Sequence, residues 1–221
     1  TCGPERETGR EFRFMAEGPT VSEPEWQACL ASLSETTGDF LVASGSLPNG
    51  VPPDFFARVA TRAKERRIPL VLDTSGPALA QGLAGGGVFL VKPSLEELQR
   101  LTGEPLASDE AIAAAAAAIV ARGEAEHVAV TMGADGAMLV NKAGVLRLPA
   151  LNVRAASAVG AGDSFVAAMI YALAAGLRVD EAFRFGMAGG AAAVLTPGSG
   201  LAPAAEIRRL FAEMQGGSSA P

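Results

Sequence analysis

Histidine, cysteine and aromatic residues are scarce in this chain of 221 residues. It has one histidine, His127, two cysteines, Cys2 and Cys29, and only 5% aromatic residues. A metal centre of histidine and cysteine ligands needs several of them at short spacing, and the sequence has neither a CxxC pair nor a second histidine. We therefore expect no such metal cluster, no disulfide framework and two reduced thiols. Because His127 precedes an apolar run, we expect it to be structural rather than catalytic.

Basic residues are also in deficit. The chain has 18 Lys and Arg against 24 Asp and Glu, a formal net charge of -6 and a pI near 4.9. Proteins that bind nucleic acids usually carry a basic face, so we expect no nucleic-acid partner. The overall acidity does not exclude a phosphorylated small molecule, because a local site can still be positive.

Long apolar segments are missing too. Residues 1–12 are polar and charged, which predicts no secretory signal peptide. The longest apolar run, 165–175, is shorter than the roughly 18 to 20 residues of a membrane-spanning helix. We expect a cytoplasmic protein that does not act at a membrane.

Since 49% of the residues are hydrophobic, the chain can bury a substantial core. We assign 1–215 to one domain portion built around that core and expect 216–221 to form a disordered tail.

Short apolar strands alternate with helical patterns along most of the chain. We predict strands at 12–14, 40–45, 68–73, 88–91 and 127–132, followed by a hairpin of 137–140 and 145–148. We predict helices at 23–33, 54–67, 77–83, after Ser94, and at 109–122, 163–175, 179–195 and 204–214. This alternation favours an α/β fold in which a mainly parallel sheet is covered by helices on both faces.

The carboxyl ends of parallel strands form one rim, and ligands bind there in such folds. Asp73, Lys92 and Thr131 each follow a predicted strand. We therefore expect these three residues to lie on the same rim.

The segment Gly160-Ala161-Gly162-Asp163 opens a predicted helix. Its two glycines allow a tight turn that brings backbone N–H groups close to an anion. A helix N-terminus adds roughly half a positive charge, which suits a phosphoryl group. An aspartate beside that group can take the proton of an attacking hydroxyl. Taken alone, the motif fits a simple helix N-cap at Asp163 equally well.

Two further segments accompany this motif. Residues 130–136, V-T-M-G-A-D-G, are a strand followed by a glycine turn whose backbone can line a nucleotide, although it also fits an ordinary hairpin turn. In 92–97, K-P-S-L-E-E, a lysine ends a strand and Glu97 lies in the first turn of a helix. Glu97 can hold Mg²⁺ through water, and it can also form a capping box with Ser94. The sequence has no G-x-x-x-x-G-K-[ST] loop, which argues against a P-loop kinase.

In this order, the three segments resemble the GAGD signature, the T-x-G-x-x-G turn and the K-P-N-x-x-E segment of the PfkB carbohydrate kinase family. The resemblance extends over nearly the whole chain and implies a ribokinase-like, three-layer α/β/α fold with a mainly parallel central sheet. Residues 13–15, 44–48 and 71–76 are most similar to the phosphosugar branch, which includes the minor bacterial 6-phosphofructokinase.

The resemblance implies transfer of a phosphoryl group from MgATP to the C1 hydroxyl of fructose 6-phosphate. Asp163 would be the base, and the Gly160 turn would present the N–H groups of Ala161, Gly162 and Asp163 to the phosphoryl group. The sugar would contact Ser46 and Asp163, and Glu97 would hold Mg²⁺ through water. The residues implied to face ATP are Lys92, Ser94, Thr131, Gly133, Ala134, Asp135 and Gly136, with Met187 and Ala191 near the adenine.

The resemblance also implies a loop for a monovalent cation such as K⁺. It would comprise Ser157, Val159, Ala193, Thr196, Gly198 and Gly200. The full-length family member is expected to be a homodimer.

The chain departs from the family pattern at several points. Ser94 replaces an asparagine that reaches further, Ala158 stands where threonine is frequent, and Gly200 replaces a longer side chain. The sugar-binding aspartate, the G-G-K-G-x-N segment and the lid of the first third are not found. We therefore expect the lid and the first strands of the sheet to be missing. The alternatives are a 1-phosphofructokinase, a tagatose-6-phosphate kinase, or a non-catalytic nucleotide-binding remnant of the fold.

Overall fold

The computed structural model describes residues 2–4, 11–13, 18–197 and 200–216. The strands are β1 (Cys2–Pro4), β2 (Glu11–Arg13), β3 (Leu41–Ser44), β4 (Leu70–Asp73), β5 (Val88–Val91), β6 (Ala125–Thr131), β7 (Ala137–Asn141) and β8 (Gly144–Leu148). The helices are α1 (Glu23–Ser32), α2 (Phe55–Arg66), α3 (Gly76–Ala84), α4 (Leu95–Thr102), α5 (Asp109–Ala121), α6 (Ala161–Ala174), α7 (Val179–Val194) and α8 (Ala204–Gly216). A short 3-10 helix covers Gly133–Asp135.

Six strands form one sheet in the order β3-β4-β5-β6-β7-β8. Strands β3 to β6 are parallel, and β7 and β8 continue the sheet antiparallel. The sheet is therefore mainly parallel, and the predicted hairpin is confirmed.

Strands β1 and β2 form a separate antiparallel pair in which Cys2 is opposite Arg13. The strand expected at 12–14 thus begins one residue earlier, and Phe14 lies outside the described residues. Its partner β1 was missed because a three-residue strand containing Gly3 and Pro4 has no alternating pattern.

Helices cover both faces of the sheet, which is why its parallel strands are almost continuously apolar. On one face, Leu70 and Leu72 pack with Phe56, Leu79 and Ile119 of the helices between α1 and α5. On the other face, Val71, Leu90 and Ala129 pack with Phe165, Met169 and Phe183 of α6 and α7. This arrangement gives the three layers that were predicted.

Helices α6 and α7 pack closely through glycines of α7. A Cβ atom on Gly189 would lie 2.4 Å from the Cβ of Ala168, and one on Gly190 would lie 3.2 Å from the carbonyl oxygen of Ala161. Larger residues at these positions would push the two helices apart. The start of α6 is therefore held in place by α7.

Gly216 is the last residue of α8, and the remainder of the expected tail, 217–221, lies outside the described residues. No helix in the described part of the chain combines the length and the apolar character needed to cross a membrane.

Candidate active site

The carboxyl ends of β4, β5 and β6 bring the predicted rim residues together. Asp73 ends β4, Lys92 follows β5, and Thr131 ends β6. The Lys92 Nζ lies 3.1 Å from Oδ1 of Asp73. Ser94 and Thr131 form an isolated parallel bridge, in which the N–H of Thr131 donates to the carbonyl of Pro93 at 3.0 Å. These contacts join two of the predicted ATP-facing segments at one edge of the sheet.

Lys92 and Asp73 form an ion pair that is largely removed from water, with side-chain exposures of 7% and 13%. Burial raises the pKa of Asp73, while the neighbouring Lys92 ammonium lowers it; the negative charges of Asp163 and Glu97 raise it further. The carboxylates of Asp163 and Glu97 therefore lie within electrostatic range of Asp73. Asp73 was expected on the rim, but its pairing with Lys92 was not predicted.

The N-terminus of α6 is open to an anion. Its N-cap is Gly160, in the left-handed conformation at φ 75°, and no side chain among the described residues caps this helix. The first helical hydrogen bond runs from the N–H of Ser164 to the carbonyl of Gly160 at 2.9 Å. The N–H groups of Ala161, Gly162 and Asp163 precede it and have no partner within the helix.

Lys92 adds a full positive charge at this point. Its Nζ lies 3.4 Å from the position that a Cβ atom on Gly162 would occupy. The Lys92 ammonium therefore lies beside the open amides at the start of α6. Amide donors, a helix dipole and an ammonium converge here, a combination that binds and stabilises phosphoryl groups.

Asp163 is the third residue of α6 and its side chain is exposed. The interpretation of Asp163 as the N-cap is wrong, because the left-handed turn places Gly160 in that role. The carboxylate lies close enough to Asp73 to raise its pKa. Asp163 is thus both accessible to a ligand and close to the Lys92–Asp73 ion pair.

Ser94 and Glu97 form the predicted capping box at the start of α4. The N–H of Ser94 donates to Glu97 Oε2 at 2.8 Å, and the N–H of Glu97 donates to Ser94 Oγ at 3.2 Å. Among the described residues no group of three or more carboxylate, histidine or cysteine side chains is arranged to hold a metal. Mg²⁺ often keeps most of its waters and takes only one or two carboxylates, so a water-mediated contact to Glu97 fits this arrangement.

The turn after β6 carries the other predicted nucleotide residues. The N–H of Met132 donates to the carbonyl of Gly136 at 2.8 Å, and Gly133, Ala134 and Asp135 are exposed between them. Gly136 has φ 98°, and a Cβ atom there would lie 2.2 Å from the carbonyl oxygen of Leu148. A Cβ atom on Gly136 would also lie 2.6 Å from the backbone nitrogen of Ala150. The turn therefore packs tightly on the end of β8 and the residues that follow it, while Gly133, Ala134 and Asp135 stay exposed.

Met187 and Ala191 flank the same segment from α7. Met187 packs in the cluster that contains Leu148 and Leu151, and Ala191 packs with Leu151 and Val153. The segment after β8 thus lies between the Gly136 turn and α7. The adenine was predicted near Met187 and Ala191, on this side of α7.

The predicted cation loop is assembled from two distant segments. The N–H groups of Ala156 and Ser157 donate to the carbonyl of Val194 at 2.6 and 3.2 Å, and the N–H of Val159 donates to Ser157 Oγ at 3.2 Å. The N–H of Thr196 donates to the carbonyl of Ala193 at 3.0 Å. These contacts place Ser157 and Val159 beside the last carbonyls of α7, an oxygen-rich setting that fits a cation. Gly200 donates to Pro197 at 3.5 Å, and Gly198 lies outside the described residues.

Ser46 lies in the turn after β3 and is exposed. This turn adjoins the end of β4, since Ser44 is paired with Asp73. The structure thus places Ser46 on the same rim as Lys92. Ser46 follows β3 and Lys92 follows β5, and only β4 lies between these two strands.

Comparison with known proteins agrees with this geometry. Residues 5–206 match the model of the pfkB family of carbohydrate kinases. The chain is 38% identical over 209 residues to the ATP-dependent 6-phosphofructokinase isozyme 2 of Mycobacterium tuberculosis, covering 94% of this chain and 61% of the relative. It is 35% identical over 186 residues to the 1-phosphofructokinase of Bacillus subtilis, covering 84% and 61%.

Solved structures give the same result. The crystal structure of phosphofructokinase-2 from Escherichia coli in complex with potassium superimposes with a TM-score of 0.89 at 34% identity, covering 94% of this chain and 68% of that one. The predicted ribokinase-like α/β fold is confirmed. The chain spans about three fifths of the length of the curated relatives, 61% of each of the two described above.

Proposed function

The chain belongs to the pfkB family of carbohydrate kinases, and we propose that it carries the nucleotide-binding and catalytic part of a phosphosugar kinase. The proposed reaction transfers the γ-phosphoryl group of ATP to the C1 hydroxyl of fructose 6-phosphate. The observation that carries the proposal is the uncapped start of α6, where Lys92 Nζ lies 3.4 Å from the Cβ position of Gly162 and Asp163 is exposed.

Asp163 is the proposed general base. Its carboxylate would accept the proton of the sugar hydroxyl as the oxygen attacks the γ-phosphorus. Side chains on a helix tilt toward its N-terminus, so the carboxylate at this third position would lie near the open amides. The nucleophile and the stabilising donors would therefore meet at one point.

Lys92 and the amides of Ala161, Gly162 and Asp163 would stabilise the transferring group. Negative charge spreads over the phosphoryl oxygens in the transition state, and fixed donors stabilise it without reorganisation. Because Lys92 is 7% exposed and held by Asp73, its charge is already positioned before ATP binds. Water screens a buried charge less than one at the surface.

ATP would lie along the rim, with its phosphates toward Lys92 and Ser94. The backbone of Thr131 and of the turn Gly133–Asp135 would follow the nucleotide, with Gly136 closing the turn and Met187 and Ala191 beside the adenine. Mg²⁺, held through water by Glu97, would neutralise charge on the phosphates. The loop of Ser157, Val159, Ala193, Thr196, Gly198 and Gly200 would hold a monovalent cation, in agreement with the potassium complex of the Escherichia coli relative.

The nearest alternative is a different phosphosugar. The similarity to a 1-phosphofructokinase, at 35% identity, supports fructose 1-phosphate as a second candidate, and tagatose 6-phosphate remains a third. The homodimer and the cytoplasmic location stay predictions.

A direct assay tests the proposal. ATP-dependent phosphorylation is measured with fructose 6-phosphate, fructose 1-phosphate and tagatose 6-phosphate, for the wild-type chain and for Asp163→Asn. Loss of a general base lowers kcat by about 10²–10⁴-fold. Asp180→Asn is a matched control, because Asp180 lies in the first turn of α7 and pairs only with Arg178 in the described contacts.

The outcomes separate the candidates. Substantial turnover by Asp163→Asn would refute its role as base. Binding of MgATP without phosphorylation of any of the three sugars would identify a non-catalytic nucleotide-binding domain instead.

A further inference from the structure

Three polar side chains are buried in the described part of the chain: Thr74, Lys92 and Ser157. Lys92 lies at the anion site, and Ser157 lies in the proposed cation loop. The third, Thr74, has no role in the proposed mechanism. It directly follows Asp73 at the end of β4 and is 5% exposed. Burying a hydroxyl is costly unless it is hydrogen-bonded, so its contacts indicate its purpose.

The hydroxyl of Thr74 reaches across to the neighbouring strand end. Its Oγ1 donates to the carbonyl of Gly45 at 2.8 Å. The N–H of Gly45 donates to the carbonyl of Asp73 at 2.9 Å. Gly45 therefore has both its backbone donor and its backbone acceptor bound to the end of β4. It adopts φ 96°, a conformation that favours glycine.

These bonds hold one end of the turn that carries Ser46. At the other end, the N–H of Val21 donates to the carbonyl of Asn49 at 2.7 Å, and a Cβ atom on Gly50 would lie 2.2 Å from the carbonyl oxygen of Val21. Between the two ends, Leu47 packs against the core while Ser46 is exposed. The turn is thus fixed at both ends and presents Ser46 at the rim.

We propose that Thr74 is a positioning residue for sugar binding. Its hydroxyl holds the turn of Gly45 to Asn49 in the conformation that receives the phosphoryl acceptor. This inference rests on the proposed function. The end of β4 then serves both halves of the site: the Asp73 carboxylate holds Lys92 on the phosphate side, and the Thr74 hydroxyl holds Gly45 on the sugar side.

Thr74→Val tests this, because valine keeps the branched shape and removes the hydroxyl. One neutral hydrogen bond corresponds to roughly a two- to tenfold change in an equilibrium. We expect KM for the sugar to rise by about that factor, with kcat and the Kd of MgATP unchanged. Thr74→Ser, which retains the hydroxyl, should restore the wild-type KM. Thr61→Val is the matched control, because Thr61 donates to Ala57 at 3.1 Å on the exposed surface of α2.

A second measurement does not depend on turnover. Amide hydrogen–deuterium exchange of residues 45–47 should become faster in Thr74→Val than in the wild type, while exchange at 161–163 stays the same. Unchanged exchange at 45–47 would overturn the proposal, as would faster exchange with an unchanged KM for the sugar. An equal rise in KM for sugar and ATP would indicate a general structural role and would also overturn it.

The two proposals fail differently. If the wild-type chain phosphorylates none of the sugars, the proposed function fails. The exchange rates of the wild type and of the valine and serine variants then decide by themselves whether Thr74 holds the turn.

Discussion

Helices α4 and α6 both begin at the rim of the sheet, but their N-termini are built in opposite ways. At α4, Ser94 and Glu97 satisfy each other's backbone N–H groups through their side chains. At α6, the N-cap is a left-handed glycine, and no side chain in the described part of the chain caps the helix. Both ends lie near the Lys92–Asp73 pair, since Glu97 and Asp163 each raise the pKa of Asp73.

The difference shows how stability and ligand binding are divided between the two ends. A capped end is stabilised by its own side chains, typically by about 1 kcal/mol. An uncapped end keeps its donors for a ligand and must be stabilised by packing. For α6 this packing comes from α7, where glycines at 186, 189 and 190 allow the two helices to approach closely.

The largest expected effect comes from removing the positive charge at the open N-terminus of α6. Lys92→Met removes the ammonium and leaves Asp73 without its partner in a largely buried position. Loss of one member of a buried ion pair costs about 3–5 kcal/mol, which urea unfolding will measure. The double variant Asp73→Asn/Lys92→Met should recover much of that stability, because no unpaired charge remains. It should not recover MgATP affinity. Recovery of affinity in the double variant would contradict the role of Lys92 at the phosphates.

A smaller effect tests the capped end. Ser94→Ala should lower the free energy of unfolding by about 1 kcal/mol through loss of the cap. Ser108→Ala is the matched control, since Ser108 caps α5 by accepting from the N–H of Ala111 at 3.3 Å. If Ser94 also faces ATP, only Ser94→Ala will raise the Kd of MgATP, as titration calorimetry will show. Equal losses of stability with an unchanged Kd would restrict Ser94 to capping.

The smallest effect lies away from both helix ends. His127 packs against Phe89 with ring centroids 4.9 Å apart, and its buried Nδ1 has no hydrogen-bond partner among the described residues. Burial lowers the pKa of His127 below its ordinary value of 6.5. Folding therefore favours the neutral ring, and its contribution to stability is present above about pH 6.5 and is lost as the pH falls through the lowered pKa.

This dependence is measurable by urea unfolding between pH 7.5 and pH 5. The slope for one proton cannot exceed about 1.4 kcal/mol per pH unit. His127 is the only histidine in the sequence, so His127→Leu should abolish most of the loss of stability between pH 7.5 and about pH 5.5. Below that range Glu25, Glu110 and Glu206 add a loss of their own, because folding lowers their pKa from the ordinary value of 4.5. Asp73 cannot mimic the effect, because its raised pKa makes stability fall as the pH rises. An unchanged loss in the leucine variant would contradict this assignment.

Local features were predictable because their causes lie within a few residues. The Ser94–Glu97 box spans three positions, and the hairpin of β7 and β8 closes through a short turn. Boundaries were less accurate: α6 begins at Ala161 rather than at 163, and β6 begins at Ala125 rather than at 127. Propensity changes gradually along the chain, whereas hydrogen bonding ends at particular residues.

The position of Asp163 within the first turn of α6 could not be predicted from the sequence. An aspartate at the start of a helix fits the N-cap and the third position about equally well. Only the backbone conformation of Gly160, with φ 75°, decides between them. The roles of Asp73 and Thr74 were missed for a similar reason, because their partners are 19 and 29 residues away.

The sequence by itself determined the class of fold, the order of the strands along the chain, and the motifs that end them. These follow from apolar periodicity, helix caps and glycine turns, which act over a single turn or strand. The tertiary structure decided which strands are neighbours, and thereby which side chains meet. Because β4 lies between β3 and β5 in the sheet, its end contacts both Gly45 and Lys92. The open N-terminus of α6 likewise has its ammonium only because the fold brings Lys92 to Gly162, 70 residues further along the chain.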